Sequence, residues 1–228
     1  MDKMIGTIIN VIAIACGGLT GLLLRKRLPA RITLIAIQGL ALVVALIGVE
    51  MMLHTRNAVT VLLSMVIGGV VGEFLGIEDK LERFGKKFEE RFGSDDDTFA
   101  KAFVTTSLLF CVGPMSIIGA LEDGLRGNYT ILLTKATLDG ISAVAFASSL
   151  GVGVIFAAIP VLLYQGGITL GAALFKGLLT ATIVDELTAT GGLLILGISV
   201  NLLQIKKIKI SNFLPALLVA VLLAAIYG

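Results

Sequence analysis

Eight long apolar runs limit what this sequence can fold into. They cover residues 4–24, 32–53, 58–77, 101–121, 136–152, 154–175, 181–203 and 212–228. About 20 helical residues cross the hydrocarbon core of a bilayer, which is about 30 Å thick. Because a backbone inside lipid has to satisfy its own hydrogen bonds, each run is expected to form a helix. The sequence therefore predicts an all-α fold, a polytopic transmembrane helix bundle of about eight spans.

The composition excludes several other classes of protein. Charged residues make up 15% of the chain, against about 25% in a soluble globular protein. A net charge of +2 provides no basic surface for a nucleic acid. Cys16 and Cys111 lie inside apolar runs and His54 is the single histidine, so neither a zinc site, a disulfide scaffold nor a hydrolytic triad is supported. We expect no enzyme activity, no cofactor and no nucleic-acid partner.

The distribution of Lys and Arg predicts the orientation in the membrane. With the N-terminus outside, the loops at 25–31, 78–101 and 206–209 are cytoplasmic and contain most of the basic residues. The other side keeps Lys3, Arg56, Arg126, Lys135 and Lys176. Both termini are thus predicted to be non-cytoplasmic. The first run exceeds the apolar core of a signal peptide, so we expect it to remain as a helix.

One polar segment interrupts the apolar pattern. The sequence EDKLERFGKKFEER at 78–91 places Leu81, Phe84 and Phe88 on one helical stripe and covers the rest with charges of both signs. This pattern predicts an amphipathic linker helix, and a docking site for a partner is the alternative. The predicted organisation has three regions: N-terminal spans at 1–77, the linker helix and an acidic loop at 78–100, and C-terminal spans at 101–228.

Glycines recur at small-xxx-small spacing along the runs. The pairs are Gly17–Gly21, Gly68–Gly72, Gly72–Gly76 and Gly167–Gly171. In a bilayer, helices associate through close backbone approach, which glycine permits. We expect the first three pairs to mark tight helix packing. Because contact between two copies would use the same spacing, a homodimer through Gly-xxx-Gly faces is a further prediction.

Two runs contain signals for a helix interruption. Cys111-Val112-Gly113-Pro114-Met115-Ser116 places proline in mid-run, where its missing N–H frees a carbonyl one turn back. Thr188-Ala189-Thr190-Gly191-Gly192 holds a comparable place in the seventh run. Paired, oppositely directed broken helices form the midplane sites of secondary transporters. Harmless kinks are the alternative.

Several polar side chains fall within or at the edges of the apolar runs. They are Asp139 with Lys135 one turn earlier, Asp185 and Glu186 followed by Thr188 and Thr190, Glu122 with Asp123, and the uncharged Gln165, Asn10 and Asn201. A charge at mid-bilayer costs about 2.5–3.5 kcal/mol on insertion scales, so each charged residue within an apolar run requires a structural or functional explanation. In the predicted topology the five carboxylates would form an electronegative mouth that attracts cations.

A local explanation is open for each of these residues. Asp139 can pair with Lys135 near the interface, and Asp185 and Glu186 can be first-turn acids of their own helix. Glu122 and Asp123 fit a loop turn, and Asn10 and Asn201 are expected to make interhelical hydrogen bonds.

Long stretches of the sequence resemble the YqgA/YdfK family of bacterial inner-membrane proteins. They are SLLFCVGPMSIIGALEDGL at 107–125, TKATLDGISAVAFASSLGVGVIFAAIPVLLYQGGITL at 134–170, DELTATGGLLILGISVNLLQIKKIKISNFLPAL at 185–217, GTIINVIAIACGGLTG at 6–21 and IGGVVGEFLGIEDKLERFG at 67–85. The resemblance implies a polytopic protein of the bacterial inner membrane, in a family of unknown function sometimes described as transport proteins. It implies no substrate and no catalytic residues.

These observations favour a secondary transporter or ion-conducting protein, coupled to a cation or proton, with its site between the two interrupted runs. The candidate substrate- or ion-binding residues are Asp139, Asp185, Glu186, Thr188, Thr190, Gly191, Gly113, Ser116, Glu122, Lys135 and Gln165. Its partners would be the lipid bilayer and an inorganic cation, a proton or a small solute. The alternative is a non-transporting sensor or scaffold that acts through helix 78–92.

An intramembrane aspartyl hydrolase is disfavoured because Asp139 lacks a Gly-x-Gly-Asp motif. Eight spans do not divide into two inverted halves of four, since an inverted repeat needs an odd number in each half. Extra re-entrant segments or a partial inverted repeat remain open.

Overall fold

The computed structural model describes residues 4–25, 29–83, 99–175 and 179–227, and these ranges contain helices and turns but no strand. In chain order the helices are α1 (Ile5–Arg25), α2 (Ala30–Met52), α3 (Ala58–Leu75), α4 (Phe99–Cys111), α5 (Pro114–Arg126), α6 (Thr130–Leu150), α7 (Gly153–Phe156), α8 (Ala158–Leu170), α9 (Ala172–Phe175), α10 (Ala181–Leu202), a 3₁₀ turn (Ile210–Phe213) and α11 (Pro215–Tyr227). The predicted all-α transmembrane bundle is confirmed.

The number of candidate spans is close to the prediction. Within the described ranges, six helical stretches are long and apolar enough to cross a membrane, namely α1, α2, α3, α6, α7 with α8, and α10. The bent pair α4 and α5 gives a seventh if it crosses as one span. The last predicted run forms a shorter apolar helix over Ile210–Ile226. Of the predicted linker helix, 77–83 is helical, whereas 84–98 lies outside the described residues, as do Lys26, Arg27 and Lys176.

The chain divides into two compact units, each made of two separate stretches of sequence. Unit 1 comprises Met1–Ile37 and Lys101–Leu179, and unit 2 comprises Gln38–Ala100 and Thr180–Gly228. Each unit therefore combines helices from the predicted N-terminal region at 1–77 with helices from the predicted C-terminal region at 101–228.

In unit 1, α1 packs along α6, and the two helices run in the same direction. A Cβ at Gly6 would collide with Leu132 near the start of α6, and one at Gly21 would collide with Ala147 near its end. A Cβ at Gly17 would overlap the carbonyl oxygen of Gly140. The expected close packing at Gly17 and Gly21 is therefore present, and it excludes any larger side chain from this face of α1.

In unit 2, α3 packs against the 3₁₀ turn and α11, which runs in the opposite direction. A Cβ at Gly68 would collide with the backbone of Ala216, and one at Gly72 would collide with the backbone of Asn212. Gly76 does not continue this face. It ends α3 in a left-handed conformation, with φ 59°, and its N–H caps the helix. The spacing Gly72–Gly76 thus combines one packing glycine with one capping glycine, rather than forming a packing pair.

The chain is interrupted at Gly113-Pro114. Helix α4 ends at Cys111, α5 begins at Pro114, and the two are bent by 57°. Gly113 has φ 153°, a conformation that favours glycine over any residue with a Cβ. Because the bend is well below 90°, both helices continue in one general direction, as they would in a single broken span.

The prediction of a helix interruption at Gly191-Gly192 was wrong. Helix α10 is continuous from Ala181 to Leu202. Neither glycine removes a backbone N–H, as proline does, so the helical ladder continues through both. Gly192 instead lies against α2, where an added Cβ would collide with the Gly48 carbonyl oxygen and the Met52 nitrogen. This pair of glycines serves close helix packing.

Candidate functional site

A buried ion pair lies on α6 in unit 1. The Lys135 ammonium and Asp139 Oδ2 are 2.5 Å apart, and the two residues are only 6% and 7% exposed. Their spacing of four residues places both on one face of the helix. The predicted pairing of Asp139 with Lys135 is therefore present, and it is almost completely removed from the surface.

Hydrogen bonds extend from this ion pair across the unit. Asn10 on α1 donates through Nδ2 to Asp139 Oδ2 at 3.0 Å and to Gln165 Oε1 on α8 at 3.2 Å. Gln165 Nε2 in turn donates to Ser116 Oγ on α5 at 3.2 Å. These five residues, Lys135, Asp139, Asn10, Gln165 and Ser116, are all buried and form what we call the polar chain.

The polar chain ends at the helix interruption. Since Pro114 has no N–H, the carbonyl of Phe110, one turn before it, loses its helical donor. The Ser116 hydroxyl donates to that carbonyl at 2.9 Å. Ser116 therefore satisfies a backbone group that the interruption has freed, and it joins the unwound backbone to Gln165.

One oxygen of the polar chain has no partner. Asn10 is fully buried, and its Oδ1 accepts no hydrogen bond. A buried acceptor left unsatisfied costs about 1–3 kcal/mol. Four helices, α1, α5, α6 and α8, thus place a charged pair, an uncommitted amide oxygen and unwound backbone within one connected network.

The two other acids of unit 1 lie near the C-terminal end of α5. Glu122 pairs with Arg126 one turn later at 3.0 Å, and both side chains are partly exposed. Asp123 is buried and accepts from the Gly6 N–H at 3.2 Å, at the start of α1. Both lie within α5 rather than in the loop turn expected for them.

In unit 2, Glu186 is buried and holds the loop before α3. It accepts from the Thr55 hydroxyl at 2.9 Å, from the Arg56 N–H at 2.7 Å and from the Asn57 N–H at 2.9 Å. Asp185 pairs with the Arg56 guanidinium at 2.7 Å. Because α10 begins at Ala181, neither acid lies in the first turn of its own helix, and that interpretation was wrong. Glu186 instead stabilises the N-terminus of α3.

Asn212 anchors another end of unit 2. Its amide donates to Glu73 Oε2 at 2.6 Å and accepts from the Glu78 N–H at 2.7 Å. The Glu78 carboxylate accepts from the Ser211 N–H at 2.9 Å. Lys209 donates to Glu73, and this hydrogen bond raises the pKa of Lys209 above its usual 10.5. These contacts hold the beginning of the predicted linker helix against the 3₁₀ turn.

The structure distributes the predicted site residues between the two units. Unit 1 joins Lys135, Asp139, Gln165 and Ser116, with Gly113 in the adjoining interruption and Glu122 outside the network. Unit 2 contains Asp185, Glu186, Thr188, Thr190 and Gly191. The Thr188 and Thr190 hydroxyls are buried and unpaired. Within the described ranges, no group of three or more His, Cys, Asp or Glu residues is placed to hold a metal ion.

Asn10 is the residue of the polar chain that the predicted site did not include. The expected interhelical hydrogen bonds of Asn10 are present, but the sequence does not indicate their partners. The Asn201 side chain instead exchanges two hydrogen bonds with the backbone of Ile208, in the loop that follows its own helix. A polar residue in an otherwise apolar run is the available signal.

Comparison with known sequences gives the same family over nearly the whole chain. Residues 5–225 match the family described as "Protein of unknown function (DUF554)". The chain is 32% identical over 220 residues to "Uncharacterized membrane protein YdfK" of Bacillus subtilis (strain 168), covering 95% of this chain and 93% of that protein. It is 34% identical over 229 residues to "Uncharacterized protein YqgA" of Escherichia coli (strain K12), covering 97% of each. No solved structure matches.

Proposed function

The chain belongs to the DUF554 family, and on that premise we propose that it is a secondary transporter or ion-conducting membrane protein, coupled to a cation or proton. It acts through the polar chain of unit 1 and carries out no enzymatic reaction. It is a multi-pass protein of the bacterial inner membrane with both termini on the non-cytoplasmic side, as the distribution of basic residues predicts.

The buried Lys135–Asp139 pair is the observation that carries this proposal. Ionisable residues in membrane-spanning helices are rare, and they mark substrate and ion pathways when they face the interior of a bundle. Replacing such a pair with apolar residues of similar size is often neutral or stabilising, so helix packing alone does not require it. A charged pair buried among these helices is better explained by a function that needs a charge there.

The interruption beside the polar chain supports the same function. Backbone that is not helical is tolerated inside a membrane only where protein or a water-filled cavity satisfies it. In transporters, such discontinuous helices provide backbone groups at the ion site. Here Ser116 and Gln165 connect the freed Phe110 carbonyl to the amide that contacts Asp139.

Flux through liposomes containing the purified full-length chain tests the proposal. Gradients of Na⁺, K⁺ or H⁺ are imposed in turn, and the wild type is expected to move at least one of them. Asp139→Asn is expected to lower that flux at least about tenfold, because it removes the carboxylate of the polar chain. Glu82→Gln is the matched control, since Glu82 is exposed and pairs with Lys207 outside this network.

Two results would remove the polar chain from this role. One is a wild type that moves none of the three ions, and the other is an Asp139→Asn protein that folds normally and retains full flux. The flux of Asp185→Asn, measured in parallel, determines whether this predicted site residue of unit 2 contributes to transport.

A second function remains a candidate because of the contacts around Asn212. They fix the start of the linker helix, which a sensor or scaffold would need if it acts through 78–92. Deletion of 84–92 is then expected to abolish the biological function, whereas Asp139→Asn is expected to preserve it. The homodimer predicted from the glycine faces is a separate proposal, and size-exclusion chromatography with light scattering checks it.

A further inference from the structure

We propose that the Lys135 ammonium occupies the position where a monovalent metal cation binds during transport. Lys135 is an internal cation that the transported ion displaces from Asp139. This inference rests on the proposed function and specifies its substrate as an alkali-metal cation such as Na⁺ or K⁺.

Charge balance indicates the valence of the ion. In the polar chain Asp139 carries the single negative charge and Lys135 the single positive charge, while Asn10, Gln165 and Ser116 are neutral. A buried site is most stable when its charges are paired, since an unpaired charge carries the full desolvation penalty. A monovalent cation in place of the ammonium restores neutrality, whereas a divalent cation leaves one positive charge unbalanced.

The several oxygen-bearing side chains linked to Asp139 suit a metal ion better than a proton. Hard cations are bound by carboxylate, amide and hydroxyl oxygens. Asn10 contacts Asp139 through Nδ2, and a half-turn of this amide would present its buried Oδ1, which has no hydrogen-bond partner, to the same carboxylate. A proton bound to Asp139 needs a single acceptor for its O–H, whereas a metal cation requires several oxygen ligands.

The position of Lys135 explains how the site remains stable when no ion is bound. An isolated carboxylate at the depth of Asp139 would be strongly destabilising. Lys135 comes from the preceding turn of the same helix, on a flexible four-carbon stem. Displacement therefore requires side-chain rotation that brings the ammonium to water, because an ammonium left buried beside the bound cation would be unpaired.

Cation-dependent thermal stability of the purified protein in detergent tests the displacement. NaCl, KCl and MgCl₂ are titrated with choline chloride holding the ionic strength constant. Lys135→Gln is expected to show saturable stabilisation by NaCl or KCl, with an affinity at least about tenfold above the wild type, because the competing ammonium is gone. MgCl₂ is expected to add nothing beyond choline chloride. The control Lys135→Gln/Asp139→Asn is expected to lose the response to every cation.

A second measurement on the wild type applies if Lys135→Gln does not fold. The purified protein is treated with a membrane-permeant, amine-reactive acetylating reagent in NaCl, KCl or choline chloride. Mass spectrometry then measures the acetylation of Lys135. Displacement predicts that NaCl or KCl raises Lys135 labelling at least about threefold, while exposed Lys207 is labelled equally in all three salts.

The proposal is overturned if folded Lys135→Gln binds Na⁺ and K⁺ no more tightly than the wild type, or if Mg²⁺ stabilises it best. Where that variant does not fold, labelling of Lys135 that is independent of salt overturns it. Flux that requires Asp139 without any cation response would remove this inference and leave the transport function standing. A cation response without flux would leave the cation site at Asp139 standing and would remove the transport function.

Discussion

Units 1 and 2 are each built around a glycine-rich helix, but they place their charges differently. Helix α1 in unit 1 and α3 in unit 2 both present glycines to the backbone of a neighbouring helix. Each also begins beside a buried carboxylate from another helix, Asp123 for α1 and Glu186 for α3. The two units therefore share one way of packing and fixing this helix.

The two units differ in where their ion pairs lie along the helices. Unit 1 pairs α1 with a parallel helix that carries Lys135 and Asp139 in its interior. Unit 2 pairs α3 with an antiparallel helix, and the ion pairs described for it lie in loops or near helix ends, such as Arg56–Asp185 and Lys209–Glu73. Glycine spacing thus determines how closely the helices approach, but it does not determine where charge is buried. The location of the buried charge distinguishes a candidate ion site from a structural contact.

The largest effect is expected from enlarging the packing glycines. Gly17→Val in unit 1 and Gly72→Val in unit 2 place atoms on the neighbouring backbone, which cannot rotate away as a side chain can. Each is expected to lower the free energy of unfolding by about 4 kcal/mol or more, or to prevent folding. Yield and thermal stability in detergent measure this effect.

Gly167→Ala and Gly39→Ala are the controls for the two units, because an added Cβ contacts nothing within 4 Å at either position. We expect them to be neutral or stabilising by up to about 1 kcal/mol. Equal loss of stability in Gly17→Val and Gly167→Ala would contradict the described packing.

The next largest loss of stability is expected from breaking a buried ion pair, compared with breaking a more exposed one. Lys135→Met leaves Asp139 as an unpaired buried charge and is expected to cost about 3–5 kcal/mol. Arg126→Met breaks a pair of the same spacing that is exposed, and it is expected to cost about 1 kcal/mol or less. Denaturant titration in mixed micelles compares the two.

Lys135→Met/Asp139→Leu is expected to recover most of the lost stability, because both charges are then absent. If the double variant stays as unstable as Lys135→Met, the ion pair is not the cause.

A smaller effect is expected from the carboxylates that hold the helix N-termini. Glu186→Gln replaces a charged acceptor of three hydrogen bonds and is expected to cost about 2–3 kcal/mol. Asp123→Asn is expected to cost about 1 kcal/mol, since the Gly6 N–H donates at a longer 3.2 Å and the Asp123 Oδ1 is unpaired. Thermal unfolding of both variants gives the order, and a larger loss for Asp123→Asn would reverse it.

The smallest effect is expected from the exposed acids. Asp185→Asn in unit 2 and Glu122→Gln in unit 1 each break a pair with a solvent-accessible arginine. Both are expected to change stability by about 0.5 kcal/mol, and less at high salt because exposed charges are screened. A loss above about 2 kcal/mol for either would place that acid among the buried groups.

Local rules predicted several features of the site from the sequence. The spacing of Lys135 and Asp139 required only helical geometry to bring the two together. Proline at 114 removes a backbone donor wherever it lies, so the freed carbonyl at Phe110 followed from covalent structure. The same reasoning failed at Gly191-Gly192, since glycine lowers helix propensity without removing any hydrogen bond.

Partners that are distant in sequence could not be predicted in this way. Asn10 is separated by 129 residues from Asp139 and by 155 from Gln165, and no local pattern relates them. The four small-xxx-small pairs have the same spacing, yet Gly17 and Gly72 lie against backbone, Gly76 caps a helix, and Gly167 has no close neighbour.

By itself the sequence determined the membrane environment, the helical class and the chemistry available at each position. These depend on the length and composition of runs and on properties of single residues. The tertiary structure decided which helices face each other, and with that which charges are buried together and which glycines must stay small. Because the surfaces of membrane helices are predominantly apolar, hydrophobic pattern does not determine which helices pack together. Shape and hydrogen bonding between segments distant in sequence determine it instead.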